Sequence, residues 1–177
     1  MKKIVLTSGL IAGSILAIMV ALMIPMTRGK TPDFSNSMLV GYTSMIVAFL
    51  AIFFGIRNYR EKIGGGTITF GRAFKVGILI VLLACGMYVV TWEIVYFGFI
   101  PDFGDKYAAY TLEKLRVDGA SPTVIAAEQT KMAEFREWYK NPILNIGMTF
   151  MEVFPVGLIM TLVSAAILRK KQRLGMA

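Results

Sequence analysis

Among 177 residues the sequence has no histidine and one cysteine, Cys85. Without His, triads built on an imidazole base and His-containing metal sites are excluded. A single Cys excludes a disulfide-stapled secreted scaffold. Charge is scarce as well: Asp, Glu, Lys and Arg make up 17% of the chain, against roughly 25% in soluble domains. That is too little polar surface to cover a soluble domain of this length. Apolar residues are abundant instead, at 56%, with a mean hydropathy of +0.64. This content excludes a disordered chain, which lacks apolar residues. It makes lipid the expected solvent.

Four stretches reach the ~20 residues that a helix needs to cross a ~30 Å hydrocarbon core. They are 4–26, 38–56, 73–100 and 143–168. The first two carry no charge, the third holds Lys75 and Glu93, and the fourth holds Glu152. Helices satisfy every backbone polar group within the segment, which lipid demands. A barrel would need ~10-residue alternating strands, and none is present. Ser35, Asn36 and Ser37 precede the second run and are placed to cap it. Lys2 and Lys3 resemble the start of a signal peptide, but the apolar run continues far past a typical h-region. It is therefore expected to remain as a membrane helix. The chain reads as all-α: one membrane domain, 1–177, forming a four-helix bundle.

Charge sets the expected orientation. Lys2 and Lys3 precede the first run, and Arg57, Arg60, Lys62, Arg72 and Lys75 surround the second loop. Arg169, Lys170, Lys171 and Arg173 follow the last run. Placing both termini and the second loop in the cytoplasm collects eleven of the nineteen bases there. Of the remainder, Arg28 and Lys30 share the first loop with Asp33, and six lie in loop 101–142 beside seven acids. Long loops carry little weight in the positive-inside rule. The expected topology is N-in and C-in across a bacterial inner membrane, with 101–142 outside. Arg57, Arg60, Lys62, Arg72 and Lys75 are expected at lipid headgroups. The bases are dispersed and flank spans, so no nucleic-acid partner is expected. Trp92, Tyr96, Phe97 and Phe99, with Tyr107, Tyr110, Trp138 and Tyr139, read as an interfacial anchoring belt.

Gly9, Gly13, Ala17 and Ala21 form a small-xxx-small stripe, which lets helix backbones approach closely. Ser44, Ala48, Ala51 and Gly55, and then Gly157, Thr161 and Ala165, form two more. The stripes fit packing within one bundle or a homodimer face. The twelve Met residues suit lipid-facing and adaptable packing. In the long loop, 105–117 reads as a short helix. Ser121-Pro122 then starts a second one that ends at Asn141-Pro142. Ile125, Met132, Phe135 and Tyr139 share its apolar face, so the hairpin is expected to lie on the membrane surface or cap the bundle. Gly66 to Ala73 mimics a phosphate-binding loop, but Arg72 and Ala73 stand where that loop has Lys and a hydroxyl. No cofactor is expected.

Glu93 and Glu152 are the acids within the spans. An acid in hydrocarbon is costly, so each is expected to face the bundle or to be protonated. They can form a proton or cation site in a transport path. Alternatively they can fix helix register through partners such as Tyr88, Thr91, Thr149 and Tyr96. No Ser, Cys or metal constellation accompanies them, so an enzyme is not expected.

The segments Ile56-Arg57-Asn58-Tyr59-Arg60 and Gly65-Gly66 through Phe70-Gly71-Arg72-Ala73-Phe74-Lys75-Val76-Gly77 carry a resemblance. So do Tyr88, Trp92-Glu93, Asn141-Pro142 and Thr149-Phe150-Met151-Glu152-Val153-Phe154-Pro155-Val156-Gly157. The sequence resembles the domain of unknown function 4199 family over nearly its whole length. The resemblance implies an uncharacterised four-span bacterial membrane protein and supplies no activity. The expected role is structural or interactive, with the bilayer and a membrane-protein partner or second copy as partners. The alternative is a small transporter or channel using Glu93 and Glu152.

Overall fold

Apolar runs of this length close their own hydrogen bonds as helices, and the computed structural model shows six of them among the residues it describes, 1–27, 34 and 36–170. They are α1 (Lys2–Thr27), α2 (Ser37–Lys62), α3 (Phe70–Phe99), α4 (Phe103–Val117), α5 (Pro122–Lys140) and α6 (Pro142–Leu168). The charges at Arg28, Lys30, Asp33, Lys171 and Arg173, the cap residue Ser35 and the side chain of Ser37 lie outside the described residues. Four helices, α1, α2, α3 and α6, are long and apolar enough to cross a membrane. Their outer faces carry Leu10, Ile18, Val47, Phe54, Ile94 and Ile159, all exposed. So much uncovered apolar surface is stable only against lipid.

Lipid removes the hydrophobic drive for helix association, so close backbone approach takes over. A Cβ on Gly9 would stand 2.6 Å from Leu83, and one on Gly13 would collide with Met87. Both contacts step by four, so α1 and α3 run parallel. A Cβ on Gly77 would meet Thr161 at 2.6 Å, and one on Gly157 would meet Val81 at 2.7 Å. Those steps run in opposite senses, so α3 and α6 are antiparallel. Gly55 faces Ser8 and Ile80. From the small-residue stripes Gly9, Gly13, Gly55 and Gly157 therefore meet neighbouring helices within this bundle, whereas Ala21 is exposed. The central helix α3 packs on α1, α2 and α6, burying Ile80, Val81, Ala84 and Cys85.

Element ends follow local chemistry. Thr69 caps α3 by accepting from the Arg72 amide, and Ser121 caps α5 the same way from Val124. Asn141 ends α5 and caps α6 through the amides of Ile143 and Leu144. Asn36, expected as a cap, makes no side-chain cap hydrogen bond. The α2 helix runs to Lys62, past the apolar boundary at Ile56. Its polar end is held by an Arg57–Glu61 pair at 3.0 Å, one turn apart. Gly65 and Gly66, at φ 57° and 83°, reverse the chain. Ile68 then exchanges backbone hydrogen bonds with Lys170, tying this loop to the end of α6.

At the opposite end, α4 and α5 form a hairpin joined by Asp105–Arg136 at 3.1 Å. Lys106 pairs with Asp102 and donates to the Thr27 carbonyl at 2.8 Å, fastening α4 to the end of α1. The part-buried positions of α5 are Ile125, Glu128, Met132, Phe135 and Tyr139, and none is fully buried. Tyr139 and Phe103 pack on Trp92 of α3, at centroid distances of 6.3 and 5.2 Å. The hairpin thus covers one end of the bundle.

Candidate functional site

Beneath the hairpin lies a cavity of about 520 Å³, within the ~300–1,000 Å³ usual for small-molecule sites. Every helix contributes to it. The α1 helix supplies Met19 and Met23, and α2 supplies Met38, Tyr42 and Met45. From α3 come Tyr88 and Trp92, one turn apart. The hairpin adds Phe103, Tyr107 and Tyr110 from α4, and Phe135 and Tyr139 from α5. Phe34 packs edge-on against Phe103, Tyr107 and Tyr110. Among the described residues Glu152 of α6 is the one acid in this lining, and Lys114 of α4 is the one base.

The helical repeat explains which predicted residues meet here. Tyr88 and Trp92 face the cavity, so Glu93 is turned about 100° away from Trp92 and does not line it. One Glu93 carboxylate oxygen is buried without a hydrogen-bond partner among the described residues. Thr91 donates back to the Met87 carbonyl at 2.8 Å, so its hydroxyl stays on its own helix. Trp92 bonds to Asn145, and Glu152 lies seven residues beyond Asn145 along α6. Because α3 and α6 are antiparallel, Glu93 and Glu152 are therefore offset by about 12 Å along the bundle axis. The structure brings Glu152 together with Tyr88 and leaves Glu93 apart.

Asn145 organises the neighbouring wall. It is fully buried; its Oδ1 accepts from Trp92 Nε1 at 2.9 Å and from Thr149 Oγ1 at 3.1 Å. Its Nδ2 donates to the Tyr139 carbonyl at 3.1 Å. One amide thus joins α3, α5 and α6 and holds the indole that lines the cavity. Thr149, expected as a partner of the acids, belongs to this network. Asn145 is a neutral amide, so a count of charges along the spans passes over it. Its signal was available: it is the sole Asn within 143–168.

The aromatic belt divides in two. Trp138, Phe97 and Phe99 are exposed, as a belt requires. Trp92 and Tyr96 are 5% and 3% exposed, and Tyr107, Tyr110 and Tyr139 turn into the cavity. Composition marks a ring for the interface, but the hairpin's fold decides which way it faces. Burial, and then the nearby Glu152 carboxylate, push the Tyr139 hydroxyl above the ordinary tyrosine range. It stays neutral and can donate.

At the other end, Arg57, Lys62, Arg72 and Lys75 are exposed, Arg57 while paired with Glu61. Arg60 is part-buried and turns inward instead. It donates to the carbonyl of Leu168, the last residue of α6, where a cation meets the negative end of the helix.

Among the described residues no group of three His, Cys, Asp or Glu side chains is placed to hold a metal ion. Residues 7–170 match the family described as protein of unknown function (DUF4199). The chain belongs to the DUF4199 family. Neither a curated protein nor a solved structure matches it. In this DUF4199 member the arrangement with chemical content is thus the cavity, with one carboxylate among aromatic and thioether side chains.

Proposed function

We propose that this multi-pass membrane protein is non-enzymatic and works by binding, with the cavity under the hairpin as its interaction site. It sits in a bacterial cytoplasmic membrane, N-in and C-in, so that the hairpin and the cavity lie on the outer side. The carrying observation is that all six helices converge on one cavity of about 520 Å³. Among the described lining residues no nucleophile is paired with a base. The transport reading asks Glu93 and Glu152 to share a path. Their axial offset supports binding instead, as do four long helices that continue even through Pro25 of α1 and Pro155 of α6, since transporters place ion sites at broken ones. Exposed Arg57, Lys62, Arg72 and Lys75 hold the inner end at anionic headgroups.

Two measurements test this. Ser121→Cys, at the exposed start of α5, is expected to react with an impermeant maleimide in intact cells. Buried Cys85 leaves little background. Protection until lysis overturns the orientation. In liposomes, proton and alkali-cation flux is expected at the protein-free rate. Flux that Glu152→Gln abolishes overturns the binding role in favour of transport.

A further inference from the structure

We propose that the cavity takes an amphiphilic organic monocation, a substituted ammonium with an apolar body, whose charge pairs with Glu152. This rests on the binding role above and names its ligand class.

The lining selects the charge. Glu152 lies ten residues from the start of α6, about 15 Å from the hairpin end of the helix. It retains exposed surface and lines the cavity. Among the described residues no Lys or Arg is paired with it. An anionic ligand would meet this carboxylate in a wall of low polarity, where like charges repel strongly. Lys114, the base among the described lining residues, is exposed and solvated. A small inorganic cation is held by several carboxylate or carbonyl oxygens; among the described lining residues one carboxylate is present, and the other side-chain oxygens are neutral tyrosine and threonine hydroxyls.

The lining also selects the body. Tyr42, Tyr88, Trp92 and Tyr139 line the same cavity as the acid. Aromatic rings attract a cation whose charge is spread over methyl groups, with Trp the strongest. Met19, Met23 and Met45 complete the wall with polarizable thioethers that adapt to irregular apolar shapes. Asn145 holds the Trp92 indole from behind through Nε1, so its ring is pre-positioned.

The test uses the full-length protein in lipid nanodiscs. The chain has two tryptophans, and Trp138 is exposed. In a Trp138→Phe background, emission therefore reports on Trp92. The probes are benzyltrimethylammonium and neopentylbenzene, which share a shape and differ by the charge. The cation is expected to change Trp92 emission saturably. Glu152→Gln should weaken it by about tenfold or more, while Glu152→Asp keeps most of the affinity. Neopentylbenzene is expected to bind at least about tenfold more weakly than the cation, and equally to wild type and Glu152→Gln.

Cation affinity unchanged in Glu152→Gln overturns the ligand class. So does neopentylbenzene binding as tightly as the cation, and that result leaves the binding role standing. Equal loss of both probes in Glu152→Gln overturns the charge pairing. No saturable response to either probe overturns the binding role together with the ligand class.

Discussion

Replacing Asn145 with Leu tests the wall of the cavity most directly. The amide makes three hydrogen bonds, at 2.9, 3.1 and 3.1 Å, from a fully buried position. Inside membrane proteins such a bond contributes about 0.6 kcal/mol on average and up to ~1.7. Three together come to about 2 kcal/mol. Counted instead from the groups left behind, the Trp92 N–H and the Tyr139 carbonyl lose their partner at about 1–3 kcal/mol for each group that water cannot reach. Thr149 recovers part of its loss by bonding to its own helix backbone. The expected destabilisation is about 2–4 kcal/mol. Unfolding in mixed micelles, followed by circular dichroism, measures it. Trp92→Phe removes the stranded donor, so Asn145→Leu should cost about 1 kcal/mol less in that background. Asn145→Leu as stable as wild type refutes the reasoning. So does a double variant additive to within ~0.3 kcal/mol.

Three further outcomes follow from the packing. Gly77→Val places a Cβ 2.6 Å from Thr161 and should lower stability by about 1–3 kcal/mol. Gly147→Ala, which meets nothing within 4 Å, should be neutral or stabilising in the same melting assay; equal losses would show that α3–α6 approach is not tight. Glu93→Gln and Glu152→Gln should add to within about 0.5 kcal/mol in melting, whereas strong coupling would place the two acids in contact. The folded protein holds the Tyr139 proton more tightly than the unfolded chain does. The associated stability is intact below the free tyrosine value of about 10 and is lost as pH rises beyond it. An ultraviolet titration should find Tyr139 ionising after the exposed tyrosines, and earlier in Glu152→Gln than in wild type; an unchanged value would separate the two groups.

Much of the fold is legible along the chain because lipid imposes a simple rule. Backbone groups must close within a segment, so long uncharged runs mark helices, and Ser121 and Asn141 mark their ends. Polar ends are less legible. The α2 helix passes Ile56 because Arg57 and Glu61 pair across one turn, a contact that an apolar count ignores. The candidate site is half legible. Glu152 and Tyr88 stand out as polar groups in spans, yet Glu93 stands out equally and lies elsewhere. One residue of helical phase, about 100°, separates Trp92 in the cavity from Glu93 beside it.

The sequence by itself determines the solvent, the helices and the small residues at which they meet. Those features depend on composition and on spacing within one segment. Tertiary structure alone decides that the hairpin's aromatics fold inward over Trp92, that Asn145 joins three helices, and that Glu152 keeps the cavity while Glu93 is left outside. These depend on the rotational phase and axial offset between segments far apart in the chain. Packing sets both through the glycines of α1, α3 and α6, and no local pattern encodes them.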